Sequence, residues 1–137
     1  MNFLLDSNVL SDIGNGKPWA ARLAAKIALY GRHRCFLSAV SYAEMLAGIT
    51  TGAGRLSKHR SASLVEIYES IEVLPFDRDA ARAASTIRGA VKGKPLPMLD
   101  SFIAGHAKAT GLMLVTADAK DYGRMPGLSW VNWRPAT

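Results

Sequence analysis

The sequence predicts an α/β fold with a central parallel β-sheet flanked by helices on both faces. Short apolar runs typical of buried strands alternate with longer segments whose apolar residues recur at helical spacing. Two acidic residues, Asp6 and Asp118, each follow one of the apolar runs. Ligands of open α/β sheets bind beyond the carboxyl ends of the strands. The pattern that predicts the fold therefore also indicates where a site would lie.

The first elements follow directly from apolar runs and their boundaries. The run at 2–5 ends in Asp-Ser-Asn, which predicts a buried strand leading into a turn and a helix. Pro18 is typical of a helix start, and Ala, Leu and Ile recur at helical spacing over 19–30. The apolar residues 35–37 predict a second short strand.

The middle of the chain is predicted to be mostly helical. Helical spacing covers 39–49 and 62–71, and the glycine-rich, basic segment 50–55 separates the two helices. A brief strand is predicted at 72–75. Asp77 then suits the N-cap of an alanine-rich helix that ends near Val91.

The last third repeats the alternation of helix and strand. Residues 93–97 contain a glycine and two prolines and predict a loop, after which helical spacing covers 98–109. Gly111 is a typical residue just past a helix end. The final strands are predicted at 112–115 and 129–131.

Size and composition favour one compact domain. The chain has 137 residues, 49% of them hydrophobic, which is enough for a core of its own, and we expect a single domain over 1–137. Cys35 is the only cysteine and lies in an apolar run, so we expect a buried, unpaired thiol in a protein of the reducing cytoplasm. The sequence has neither the pattern of a secretory signal nor an apolar run of roughly 18 residues, so we expect no membrane association.

The charge balance points to a polyanionic partner. The net charge is +6 and the sequence pI is about 9.8, which favours nucleic acid. If four of the 11 acids were gathered at one site, the rest of the chain would carry seven acids against 17 bases. An acidic site within a basic surface is what a metal-dependent nuclease requires, because cations hold the scissile phosphate while basic side chains hold its neighbours.

Four acids are the candidate catalytic and metal-binding residues. Asp6 and Asp118 follow apolar strands, where a carboxylate is costly to desolvate, although either could simply cap the next helix. Asp100 lies in the first turn of its helix on a face of small apolar residues, so it should point inward or across a cleft. Glu44 lies in mid-helix, several turns in sequence from any basic residue, and the alternative for it is an exposed position.

Convergent carboxylates have a clear chemical use. Mg²⁺ and Mn²⁺ are hard ions that prefer oxygen ligands, and proteins usually supply a few carboxylates while water and substrate phosphate complete the coordination. Ions held in this way activate water and stabilise the leaving oxygen in phosphodiester hydrolysis. Ser7, Asn8 and Thr116 stand beside the acids and could orient them, although each also suits a helix start. The candidates for RNA backbone contacts are Arg55, Lys58, Arg60, Lys92 and Lys94.

With these residues assembled, the chain resembles the PIN-domain ribonucleases, and most closely the VapC toxins of bacterial toxin–antitoxin pairs. Any one matching segment is weak evidence for the family, but the whole set in this order is specific. Ser7 departs slightly from the family pattern, in which threonine is more common at this position. The matching segments, in chain order, are 3–8, 37–48, 74–77, 99–107, 114–118, 126–128 and Trp133.

The resemblance implies a PIN fold, a magnesium- or manganese-dependent endoribonuclease and a homodimer. It also implies a cognate VapB-type antitoxin that covers the acidic site. The residues it carries over as metal ligands and catalytic groups are Asp6, Glu44, Asp100 and Asp118.

Two other classes of function remain as alternatives. A phosphoacceptor domain also places an aspartate after its first strand, but the phosphatase pattern needs a second aspartate two residues later, where this chain has Asn8. A receiver domain would need paired acids at the first strand, which the sequence lacks. The second alternative is a catalytically silent module that keeps the fold and docks RNA or an antitoxin.

Overall fold

The structure, a computed structural model, describes residues 1–50 and 58–136, and at 50 and 58–61 it describes the backbone alone. The strands are β1 (Phe3–Leu5), β2 (Cys35–Ser38), β3 (Glu72–Leu74), β4 (Met113–Val115) and β5 (Trp130–Val131). Within the described residues they form a parallel sheet in the order β3-β2-β1-β4-β5. The predicted fold class is therefore confirmed.

The helices lie close to the predicted segments, with three differences. The helix predicted over 62–71 starts and ends earlier, at Lys58 and Glu69. The sequence did not predict the short helix after Asp118 or the 3₁₀ turn at Arg32–Arg34. A four-residue helix is too short to show a helical period in the sequence. The α-helices are α1 (Ser7–Gly14), α2 (Ala20–Tyr30), α3 (Ala39–Thr50), α4 (Lys58–Glu69), α5 (Arg78–Ala90), α6 (Met98–Thr110) and α7 (Ala119–Tyr122).

Local capping explains where α5 begins and where α6 ends. The Asp77 side chain accepts a hydrogen bond from the Ala80 amide at 3.0 Å and so starts α5, as predicted. Gly111 adopts the left-handed conformation, with φ of 70°, and ends α6 before the chain enters β4. This turn sends α6 and β4 in opposite directions, so the first turn of α6 lies near the carboxyl end of β4.

The sheet separates two hydrophobic cores, as expected when helices cover both faces. Side chains alternate along a strand, and Phe3 and Leu5 pack into one core while Leu4 packs into the other. Cys35 is fully buried in the first core, as predicted for a free thiol. Among the described residues, no helix is long and apolar enough to cross a membrane.

Helices α5 and α6 pack unusually closely because one contact residue is glycine. A Cβ added at Gly105 would lie 2.6 Å from the Cα of Ala84, closer than real Cβ atoms approach. The obstacle is backbone, which cannot rotate away as a side chain can. The position of α6, and of every residue it carries, therefore depends on Gly105.

Replacing this glycine should destabilise the fold. We expect Gly105→Ala to lower the free energy of unfolding by about 2 kcal/mol through overpacking, measured by urea denaturation. Gly89→Ala in α5 is the matched control, since nothing lies within 4 Å of its added Cβ, and it should be neutral or stabilising by up to about 1 kcal/mol. Equal effects of the two substitutions would contradict the close packing.

Candidate functional site

Two of the acidic candidates, Asp6 and Asp118, come together at the carboxyl edge of the sheet because β1 and β4 are parallel neighbours. Leu5 pairs with Val115, and the Asp6 amide donates a hydrogen bond to the Val115 carbonyl at 2.9 Å. This register places Asp6 beside Thr116, two residues before Asp118. The parallel pairing of two buried strands thus brings together acids that are 112 residues apart in sequence.

Asp6 is buried, with 8% of its surface exposed, and both carboxylate oxygens are held by hydrogen bonds. Oδ1 accepts from the Ser7 amide at 2.8 Å. Oδ2 accepts from the Thr116 hydroxyl at 2.8 Å and from the Asn8 side-chain amide at 3.3 Å. The three neighbours predicted to orient an acid thus all contact Asp6, Ser7 through its backbone.

Asp118 is linked to the same network through Thr116. Its amide donates to the Thr116 hydroxyl at 3.1 Å, while its own side chain accepts from the Asp121 amide at 3.2 Å and starts α7. Asp6 likewise occupies the N-cap of α1. In the sequence, capping a helix and contributing to an acidic site were alternatives for Asp6 and Asp118. In the structure, each residue caps a helix and also lies beside the other acid at the sheet edge.

Burial and mutual repulsion raise the pKa values of three of the candidate acids. Burial raises the pKa of Asp6, and the Asp118 charge adds to it, although the Thr116 and Ser7 hydrogen bonds oppose the rise. Burial and then the Asp6 charge raise the pKa of Glu44. The pKa of Asp100 rises to about 7, first through burial and then through the charges of its acidic neighbours, which are Asp6, Asp118 and Asp121. The charge of Asp6 therefore acts on both Glu44 and Asp100.

Among the described residues, Asp100, Asp118 and Asp121 each offer a carboxylate oxygen within 4.8 Å of the others. In the sequence Asp121 is a possible auxiliary acid, although a surface position is the simpler interpretation. The signal was its spacing of three from Asp118, which places both acids together once α7 forms. Tyr122 is buried, and its hydroxyl lies 3.5 Å from Asp100 Oδ1, a contact that the sequence did not predict.

The cluster fits a divalent cation on the evidence of its own charges. In the part of the chain that the structure describes, the salt bridges are Arg124–Asp121 at 3.8 Å and Arg134–Asp12 at 2.6 Å. Neither neutralises Asp6, Asp100 or Asp118. Oxygen ligands with unneutralised negative charge are what Mg²⁺ and Mn²⁺ prefer.

The predicted basic contacts are only partly described. Arg55 lies outside the described residues, and for Lys58 and Arg60 the structure describes backbone in α4 alone. Lys92 and Lys94 are exposed on the loop before α6. Their carbonyl oxygens both accept hydrogen bonds from Arg124, which was not singled out in the sequence.

Comparison with known proteins gives a consistent family. A family model described as PIN domain matches residues 3–128. A Salmonella typhimurium protein named tRNA(fMet)-specific endonuclease VapC is 31% identical over 136 residues, covering 97% of this chain and 98% of that protein. Ribonuclease VapC1 of Haemophilus influenzae is 25% identical over 139 residues, covering 97% and 98%.

Solved structures agree with the sequence relatives. A chain in the structure of DNA-bound VapBC from Salmonella typhimurium has a TM-score of 0.80 and 29% identity, covering 97% of this chain and 98% of that one. A chain of FitAcB from Neisseria gonorrhoeae has a TM-score of 0.74 and 27% identity, covering 96% and 97%. The similarity therefore extends over nearly the whole chain in both comparisons.

The raised pKa of Asp100 predicts how metal-free stability depends on pH. The folded state binds the Asp100 proton more tightly than the unfolded state, with a pKa of about 7 against an ordinary 3.8. The resulting stabilisation is complete below about pH 4 and is lost as pH rises through 7. In chelator, Asp100→Asn should therefore melt above wild type at pH 8 and lose this advantage toward pH 5.

Because Asp100 is half-exposed, solvent screening limits the expected difference to about 1 kcal/mol, or roughly 4 °C in Tm. Asp79→Asn is the matched control, since Asp79 is an exposed acid in the first turn of α5. A pH-independent difference between wild type and Asp100→Asn would contradict the repulsion.

Proposed function

The chain belongs to the PIN domain family, whose model spans residues 3–128, and we propose that it is a divalent-metal-dependent endoribonuclease, the toxin of a toxin–antitoxin pair. The observation that carries the proposal is the charge of Asp6, Asp100 and Asp118. These acids repel one another, and none of the described salt bridges neutralises them. The relatives named as VapC ribonucleases support the reaction class.

The proposed metal ligands are drawn from Asp6, Glu44, Asp100 and Asp118, with Asp121 as a further acid of the cluster. When bound, Mg²⁺ or Mn²⁺ supplies the positive charge that phosphodiester hydrolysis needs around the attacked phosphorus. Coordination requires the ionised form of each acid, so binding competes with protonation of Asp100. Metal affinity should thus rise with pH toward neutrality.

The neighbours of Asp6 have a positioning role in this proposal. The Thr116 and Asn8 side chains both donate to Oδ2 of Asp6, and the Ser7 amide donates to Oδ1. These bonds favour the ionised carboxylate against the cost of its burial. They also hold its oxygens in one orientation, which a metal site requires of its ligands.

The loop before α6 is our candidate for RNA backbone contacts. Arg124 donates to the carbonyls of Lys92 and Lys94, and Arg88 donates to the Leu96 carbonyl at 2.8 Å. These hydrogen bonds fix the backbone of the loop at both lysines and at Leu96, directly before the helix that carries Asp100. Arg55, Lys58 and Arg60 remain candidates from the sequence alone.

The comparisons also suggest substrate and partners. One relative is named as specific for tRNA(fMet), so we propose tRNA as the first substrate class to test. Neighbouring solved structures are VapBC toxin–antitoxin complexes, and we propose a VapB-type antitoxin as partner of this chain and a homodimer as its own assembly.

Incubation with RNA tests the proposal directly. We expect wild type to cleave mixed cellular tRNA with Mg²⁺ or Mn²⁺ and to be inactive in chelator. Asp100→Asn should reduce the rate at least about 100-fold, because a metal ligand contributes several kcal/mol to the transition state. Asp79→Asn, outside the cluster, should retain wild-type activity.

Two other outcomes would contradict the proposal. RNA that stays intact with every metal would favour the catalytically silent docking module. Incorporation of labelled phosphate from a phosphodonor would favour a phosphoacceptor.

If the loop before α6 contacts the RNA backbone, its two lysines should affect the salt dependence of RNA binding. In the Asp100→Asn background, removing both charges with Lys92→Ala and Lys94→Ala should lower the slope of log K against log salt by about 1.4, or about 0.7 per lost phosphate contact with single-stranded RNA. Fluorescence anisotropy with a labelled oligonucleotide measures this slope. Lys108→Ala, exposed at the far end of α6, should leave it unchanged, and equal slopes for both variants would rule out the loop.

A further inference from the structure

A buried hydrogen bond joins the end of β2, directly before the helix that carries Glu44, to the helix that carries Asp100. The Oγ atom of Ser38 and the Nδ1 atom of His106 lie 2.8 Å apart. Ser38 is fully buried and His106 is 1% exposed. Such a buried polar pair is costly unless its bond is kept, so it strongly constrains the segments on which it stands.

The Ser38 hydroxyl has a second role in the same place. Its Oγ accepts a hydrogen bond from the Val40 amide at 3.1 Å, in the first turn of α3. One oxygen atom therefore both starts the helix that carries Glu44 and contacts the helix that carries Asp100. Glu44 follows Ser38 by six residues and Asp100 precedes His106 by six residues, which corresponds to roughly 9 Å along a helix axis.

The surroundings of His106 suit a fixed neutral side chain rather than a reacting one. The ring of Phe76 packs edge-on against the imidazole, with centroids 5.5 Å apart and an interplanar angle of 89°. Burial lowers the pKa of His106, while the Asp77 charge opposes this. A neutral imidazole can share the bond with Ser38 in either tautomer.

We propose that the Ser38–His106 hydrogen bond is a positioning contact that sets the spacing between Glu44 and Asp100 for binding of a divalent cation. This inference rests on the proposed function. Glu44 on α3 and Asp100 on α6 both interact with the negative charge of Asp6, and a metal site needs its ligands held to within about 0.5 Å. A directional bond between the supporting elements resists the separation that repulsion favours.

Mn²⁺ binding to the metal-free protein, measured by calorimetry, tests the proposal without any measurement of activity. His106→Leu fills the buried position with an apolar side chain but loses the hydrogen bond to Ser38. We expect about tenfold weaker Mn²⁺ affinity, as for other groups that contact metal ligands. His106→Asn keeps a polar atom where Nδ1 stands and should restore affinity to within about threefold of wild type.

Ser38→Ala and Ser41→Ala form a matched pair that removes one hydroxyl each. Ser41 is also fully buried in this region, on α3, and its Oγ has no hydrogen-bond partner among the described residues. Ser38→Ala should weaken Mn²⁺ binding, whereas Ser41→Ala should not. Combining Ser38→Ala with His106→Leu should weaken binding no further than the stronger single substitution, because both remove the same bond.

Three results would overturn the inference. Folded His106→Leu with wild-type Mn²⁺ affinity would make the bond merely structural, and the proposed function would survive. If His106→Leu fails to fold, equal affinities of Ser38→Ala and Ser41→Ala would overturn the inference in the same way. Wild type that binds no Mn²⁺ at all would end both this inference and the metal-dependent function.

Discussion

Negative charge at one edge of the sheet is the constraint that the rest of the structure must meet, since none of the described salt bridges neutralises Asp6, Asp100 or Asp118. Two carboxylates about 4 Å apart repel by about 4 kcal/mol at the effective dielectric of a protein surface. The fold resists this repulsion because the strands next to Asp6 and Asp118 pair in parallel within two hydrophobic cores. A divalent cation would turn this repulsion into attraction, which links metal affinity to the stability of the whole domain.

Single hydroxyl groups connect the elements that carry the acids. Thr116 contacts both Asp6 and the backbone of Asp118, and Ser38 contacts both α3 and His106 of α6. Because these side chains are short, the segments that they join must lie close together for the hydrogen bonds to form. The acidic cluster is therefore supported by hydrogen bonds beneath it as well as by the packing of α5 on α6 at Gly105.

The fold could be predicted from the sequence because apolar runs and helical spacing are local signals. Asp6 and Asp118 were found because each follows a buried strand, and Glu44 because nothing nearby in sequence neutralises it. Asp121 was considered only as an auxiliary acid, and the contacts of Tyr122 and Arg124 were not predicted. All three depend on a short helix and a loop contact that leave no periodic pattern. Ser38 and His106 are joined across 68 residues, and no single-sequence rule pairs a serine with a distant histidine.

The most direct measurement is the anomalous difference map of a crystal soaked with Mn²⁺. The account predicts one or two peaks at the carboxyl edge of the sheet, about 2.2 Å from carboxylate oxygens of Asp6, Asp100 and Asp118. Peaks confined to other parts of the surface, or carboxylates that face away from one another in the crystal, would contradict the claim that these acids converge on a shared cation.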